Sequence, residues 1–90
     1  MLQYEIIIKG RVQGVGFRFF VQQKASEIGI KGWVKNRNDG SVLVMAQGDE
    51  KDLETFFNFL NMGPALARVD QLSKNKMDTL SDFPDFRVRY

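Results

Sequence analysis

Ninety residues, 43% of them hydrophobic and 27% charged, are expected to make one domain spanning 1–90, large enough for a single core. The chain has no cysteine and no histidine. That excludes disulfides, thiolate nucleophiles, imidazole-based triads, phosphohistidine intermediates and the usual zinc sites. The net charge of +2 contains no block of five or more like charges, so it permits an anionic ligand without amounting to a nucleic-acid footprint.

Residues 3–12 alternate around Tyr4, Ile6, Ile8 and Gly10, with Ile7 on the other face, and read as a central strand. Residues 13–17 form a glycine-bearing loop. From about Arg18 the spacing becomes helical: Phe17, Val21, Ala25 and Ile28 share one stripe, and Gly29 stands at the C-cap position. Ile30 to Arg37 returns to strand character around Trp33 and Val34. Asn38-Asp39-Gly40 is a turn signal leading into a strand at Val42 to Met45. Asp49 is placed to cap a second helix, whose apolar stripe is Leu53, Phe56, Phe57 and Leu60, and Gly63-Pro64 ends it. Ala67 to Ser73 reads as a fourth strand, Asn75 to Asp85 as a loop, and Phe86, Val88 and Tyr90 as a short terminal strand. Trp33 and the Phe residues are assigned to the core.

The order strand, helix, strand, strand, helix, strand is the ferredoxin-like split βαβ plan of the α+β class. It implies an antiparallel sheet with two helices on one face and a short C-terminal extra strand. No apolar run is long enough to cross a membrane. The segment Met1-Leu2-Gln3-Tyr4-Glu5 lacks the features of a secretion signal. A cytoplasmic location is the expectation.

The stretch Lys9-Gly10-Arg11-Val12-Gln13-Gly14-Val15-Gly16-Phe17-Arg18 leaves a strand, bends through glycines and opens a helix. Such a loop points several backbone N–H groups at one spot and adds the positive end of a helix dipole, which makes an anion cradle. Arg18 in the first helical turn is opposed by that dipole unless both share a bound anion, most naturally a phosphate. The competing interpretation is a ligand-free turn with Arg18 paired to a carboxylate such as Glu5 or Glu50. Asn36, judged by spacing alone, belongs with the turn formers that follow it. Lys31, Lys35, Arg37 and Arg11 offer either a positive rim or a solvated face. Glu5, Asp39, Glu50 and Asp52 form no convincing acid/base pair or metal cluster.

Over essentially its full length the chain resembles the acylphosphatase family. The matching segments are Gly10 to Arg18, Gly32-Trp33-Val34-Lys35-Asn36, Asp39-Gly40-Ser41-Val42, Ala46-Gln47-Gly48, Gly63 to Val69 and Phe86-Arg87-Val88-Arg89-Tyr90. Leu43 departs from the family, many of whose members carry Glu there; the position is not catalytic. The resemblance implies hydrolysis of the carboxyl–phosphate bond of acyl phosphates, with no metal and no cofactor. It implies a phosphate loop at Gln13, Gly14, Val15, Gly16, Phe17 and Arg18, with Arg18 and Asn36 catalytic. The implied partners are a small-molecule acyl phosphate, with inorganic phosphate as product and inhibitor. A monomer is expected, with no nucleic acid and no membrane as partner. An RNA-binding module of the same strand order needs stacking aromatics on its third strand, and Val42 to Ala46 supply none. The alternative is a non-catalytic phosphate-binding or regulatory domain, like those fused to hydrogenase-maturation proteins. With no fused partner expected and no zinc-finger cysteines present, a stand-alone role is the expectation.

Overall fold

The computed structural model describes residues Met1–Tyr90. The alternation of the first residues becomes β1 (Leu2–Arg11), with Ile6 and Ile8 buried beneath the helices. Gly16 caps α1 (Phe17–Ile28), one residue earlier than the periodicity placed it. The hairpin of β2 (Lys31–Asn36) and β3 (Val42–Gly48) follows, then α2 (Glu50–Met62). Asp49 takes the N-cap place of α2 but makes no side-chain bond there. β4 (Arg68–Lys76) reaches three residues beyond Ser73, into the stretch read as loop, because β1 offers it a partner as far as Tyr4–Lys76. β5 (Phe86–Arg89) ends the chain.

The sheet order is β4-β1-β3-β2-β5. The first four strands pair antiparallel, as the split βαβ plan requires. β5, however, lies parallel to β2, so the sheet is mixed and the expectation of an antiparallel sheet is corrected at this edge. The cause is where the chain crosses. β4 finishes beside the start of β1, and the following segment crosses at that end of the sheet. There the side-chain oxygen of Gln3 accepts from the Ser81 N–H at 2.7 Å, and the Gln47 amide donates to the Ser81 carbonyl at 2.7 Å. Gly32, near the start of β2, donates its N–H to the Asp85 carbonyl at 2.9 Å. A strand that begins where β2 begins must run beside it in the same direction. The C-terminal ends of β1, β2 and β5 therefore share one end of the sheet.

Both helices cover one face. α1 packs on β2 and β5, α2 on β3 and β4, and the helices touch each other. One cluster of 16 buried side chains fills the space, including Phe17 and Val21 of α1, Leu53 and Phe56 of α2, and Val34 and Val44 of the sheet. Fully burying a Val, Leu or Phe contributes about 1.5–3 kcal/mol each. Phe56 meets Phe86 edge-on at 6.1 Å, which fastens β5 to the second helix. Five aromatics assigned to the core, Phe19, Phe20, Trp33, Phe59 and Phe83, lie outside the buried cluster. Trp33 is half-buried on the open face of the sheet, under the Arg89 guanidinium at 4.6 Å, and Phe19 is 71% exposed. No helix is long and apolar enough to cross a membrane.

Candidate active site

The shared end of β1, β2 and β5 meets the N-terminus of α1 around a cavity of about 550 Å³. Gly14 and Gly16, at φ 73° and 78°, turn the chain from β1 into α1 through the left-handed region that favours glycine. The N–H groups of Gln13, Gly14, Val15 and Gly16 donate to no backbone carbonyl, and the first helical bond is Phe20 to Gly16 at 3.1 Å. The first-turn amides of Phe17 and Arg18 are free for the same reason any helix start leaves them free. No side chain caps this end, and no acidic residue stands in the first turn. The result is a run of unclaimed donors beside the positive end of a helix, an arrangement that attracts an anion.

Arg18 adds a full charge to that cradle. It belongs to none of the four ion pairs, which are Lys24–Glu27, Arg37–Asp39, Arg68–Asp70 and Arg87–Asp85. The pairing with Glu5 or Glu50 weighed from the sequence is therefore not made. The guanidinium instead lies 4.7 Å from the Tyr90 ring centroid and donates from Nη1 to the Arg89 carbonyl at 3.4 Å. These contacts hold the side chain in place without neutralising it.

Asn36 enters the cavity from the end of β2. Its Oδ1 is buried, and no protein donor reaches it. Buried acceptors are nearly always paired, so an unpaired one on a residue that lines a cavity marks that residue as a candidate to meet a ligand or a reacting water. The Gln13 amide ties loop and strand together by donating to the carbonyls of Arg37 at 2.8 Å and Ser41 at 2.9 Å. That bridge sets the distance between the amide cradle and Asn36. Of the residues expected from the sequence, Gly14, Gly16, Phe17, Arg18 and Asn36 line the cavity. Gln13 contributes this clamp, and the Val15 side chain packs against the core. Lys31, Lys35, Arg37 and Arg11 do not line it, which leaves Arg18 and Arg87 as its cations.

The acylphosphatase family model matches residues 4–88. The chain belongs to the acylphosphatase family. The acylphosphatase of Oceanobacillus iheyensis is 43% identical over 91 residues, covering all of both chains. The crystal structure of acylphosphatase from Bacillus subtilis superimposes with a TM-score of 0.97 at 43% identity, again over the whole of both chains. An acylphosphatase structure from Coxiella burnetii matches at a TM-score of 0.93 and 35% identity, covering 98% of this chain and 92% of that one.

Two parts of this acylphosphatase site escape sequence reasoning. One is the Gln13 clamp, since a glutamine beside two glycines carries no signal that its amide will reach across to the hairpin. The other is the wall made by Phe19, Val88 and Tyr90. Its only trace in the sequence is Phe19 itself, which lies off the buried stripe of α1.

Proposed function

We infer that this acylphosphatase hydrolyses the carboxyl–phosphate bond of small acyl phosphates, with the amides of residues 13–18 and Arg18 on the phosphoryl group and Asn36 on the attacking water. One observation carries the assignment of roles. Asn36, whose Oδ1 is buried and unpartnered, lines the same cavity as an unneutralised Arg18, beside a run of unclaimed amides. The planar guanidinium fork matches two phosphoryl oxygens, and the amides serve the rest. Charge that shifts onto those oxygens meets fixed donors that need no reorganisation. Asn36 Oδ1 accepts a hydrogen bond from the water and turns its lone pair toward phosphorus. A new bond forms between the water oxygen and phosphorus while the opposite phosphorus–oxygen bond breaks, its electron pair leaving on the carboxylate. Asn36 is no base near neutral pH, and the chain has no histidine. The water's proton passes to an oxygen of the phosphoryl or carboxylate group. The carboxylate is a good leaving group, so positioning and electrostatics suffice.

The same reading makes the protein a cytoplasmic monomer that needs neither metal nor cofactor, with inorganic phosphate as product and inhibitor. A core closed within one domain and a cavity lined by residues of one chain support the monomer. The test is turnover of acetyl phosphate and benzoyl phosphate by chelator-treated protein, with inorganic phosphate as competitor. Arg18→Ala is expected to lower kcat/KM by about 100-fold or more while circular dichroism stays unchanged. Phosphate binding without turnover would overturn the enzymatic reading in favour of a binding domain.

A further inference from the structure

The alternation that buries Ile6, Ile8, Val34 and Val44 under the helices turns Ile7, Leu43, Met45 and Trp33 to the other face of the sheet, where each is half-buried. The strand register sets these side chains in two rows. Ile7, Leu43, Lys35 and Arg89 cross the sheet in one, and Glu5, Met45, Trp33 and Arg87 in the next. Lys35 and Arg89 belong to none of the ion pairs. The only carboxylates in the five strands are Glu5 and Asp70, and Asp70 is tied to Arg68 at 2.8 Å. The face is therefore an apolar strip beside a surplus of positive charge. Leu43 makes the strip continuous. A Glu there, as many members of the family carry, would set a carboxylate between Ile7 and Lys35.

The fold itself shows what this face accepts. At the row beyond Met45, Ser81 is held by its N–H donating to Gln3 Oε1 and its carbonyl accepting from Gln47 Nε2, both at 2.7 Å. The segment 77–85 that carries Ser81 contains Asp78, Asp82 and Asp85 and no cation, interspersed with Met77, Leu80 and Phe83. Its hydrogen bonds to the strands end at Gln3, Gln47 and Gly32, so the rows of Met45 and Leu43 lie beyond it. We propose that these two rows form a docking surface for an acidic, apolar-bearing segment of a partner protein. Its carboxylates would meet Lys35 and Arg89, and its apolar side chains Ile7, Leu43 and Met45. A second copy of this chain would set like charges against like. A nucleic acid finds its stacking ring occupied, because the Arg89 guanidinium lies over Trp33 at 4.6 Å. A lipid surface needs apolar groups that protrude, and these are half-buried.

Trp33 is the only tryptophan, so its emission reports on this face. The probe is a short synthetic peptide alternating Glu with Leu, titrated into the wild type, Leu43→Glu and Lys35→Glu. Neither residue belongs to the buried cluster, so both variants are expected to keep the fold, with circular dichroism as the control. A saturable change in wild-type emission is expected, weakened by added salt. The dissociation constant is expected to rise by about 10-fold or more in each variant, where a like charge meets the peptide. Emission that the peptide leaves unmoved, or affinities equal across the three proteins, overturns the proposal. So does a peptide alternating Lys with Leu that binds as tightly. A change produced by phosphatidylglycerol vesicles or by a single-stranded oligonucleotide, with none from the acidic peptide, overturns it in favour of that occupant.

Discussion

Asn36→Ala separates function from stability. The buried Oδ1 accepts no hydrogen bond from the protein, and an unsatisfied buried acceptor costs the folded state about 1–3 kcal/mol. Alanine removes that cost together with the packing of one half-buried amide. The strand bonds between Asn36 and Val42 involve only the backbone and survive. The two side-chain effects oppose each other, so the expected stability change lies between zero and a gain of about 1 kcal/mol. For a domain of this size a gain of 1 kcal/mol raises Tm by about 4–8 °C. Turnover moves the other way, because a water no longer held in line is expected to lower kcat by about 100-fold, or roughly 2.7 kcal/mol in the barrier. The assay is thermal and urea denaturation followed by circular dichroism, run beside acetyl phosphate hydrolysis on the same preparation. A variant that loses activity and several degrees of Tm together would refute the reasoning, since Asn36 would then be supporting the fold. A variant that keeps full activity would refute it as directly.

Gly32→Ala is expected to destabilise the domain by about 3 kcal/mol or more, read by urea unfolding, since left-handed strain and overpacking act together. Gly32 sits at φ 141° with the Met45 carbonyl where a Cβ would go. Gly40→Ala is the contrast: φ is 91° but the space is open, so the loss is held to the left-handed backbone, about 1–2 kcal/mol. Asp39 supplies a pH prediction. The Ser41 hydroxyl and N–H, bonded to its Oδ1 at 2.6 and 3.0 Å, hold its carboxyl below the ordinary value, with Arg37 assisting. A depressed folded pKa adds stability above the unfolded value, and that stability is lost as pH falls below about 4. Asp39→Asn is expected to lose less stability than the wild type between pH 6 and pH 3, and equal losses would count against the contact.

Elements built on local periodicity were legible residue by residue. The stripe Leu53, Phe56, Phe57 and Leu60 is the buried face of α2, and Asn38-Asp39-Gly40 makes the turn between β2 and β3. Gly14 and Gly16 adopt the positive φ that their place between a strand and a helix called for. The edges were less legible, because an edge is decided by its partner. β4 runs on to Lys76 only because β1 pairs with it there. The cluster of buried Gln3 and Gln47 with Ser81 joins residues up to 78 positions apart, and nothing local marks it.

The order of elements, the glycine loop and the presence of Arg18 at a helix start follow from the chain's own covalent sequence, since each depends on neighbours within a turn or a strand. Which groups meet there depended on the direction of β5. Crossing at the Gln3 end forces that strand parallel to β2 and carries Tyr90 to the same end as Asn36 and the loop. An antiparallel β5 would leave Arg18 without its aromatic brace and the cavity without one wall. Strand direction is settled by where the preceding chain crosses, a contact between residues distant in sequence, and no periodicity within β5 records it.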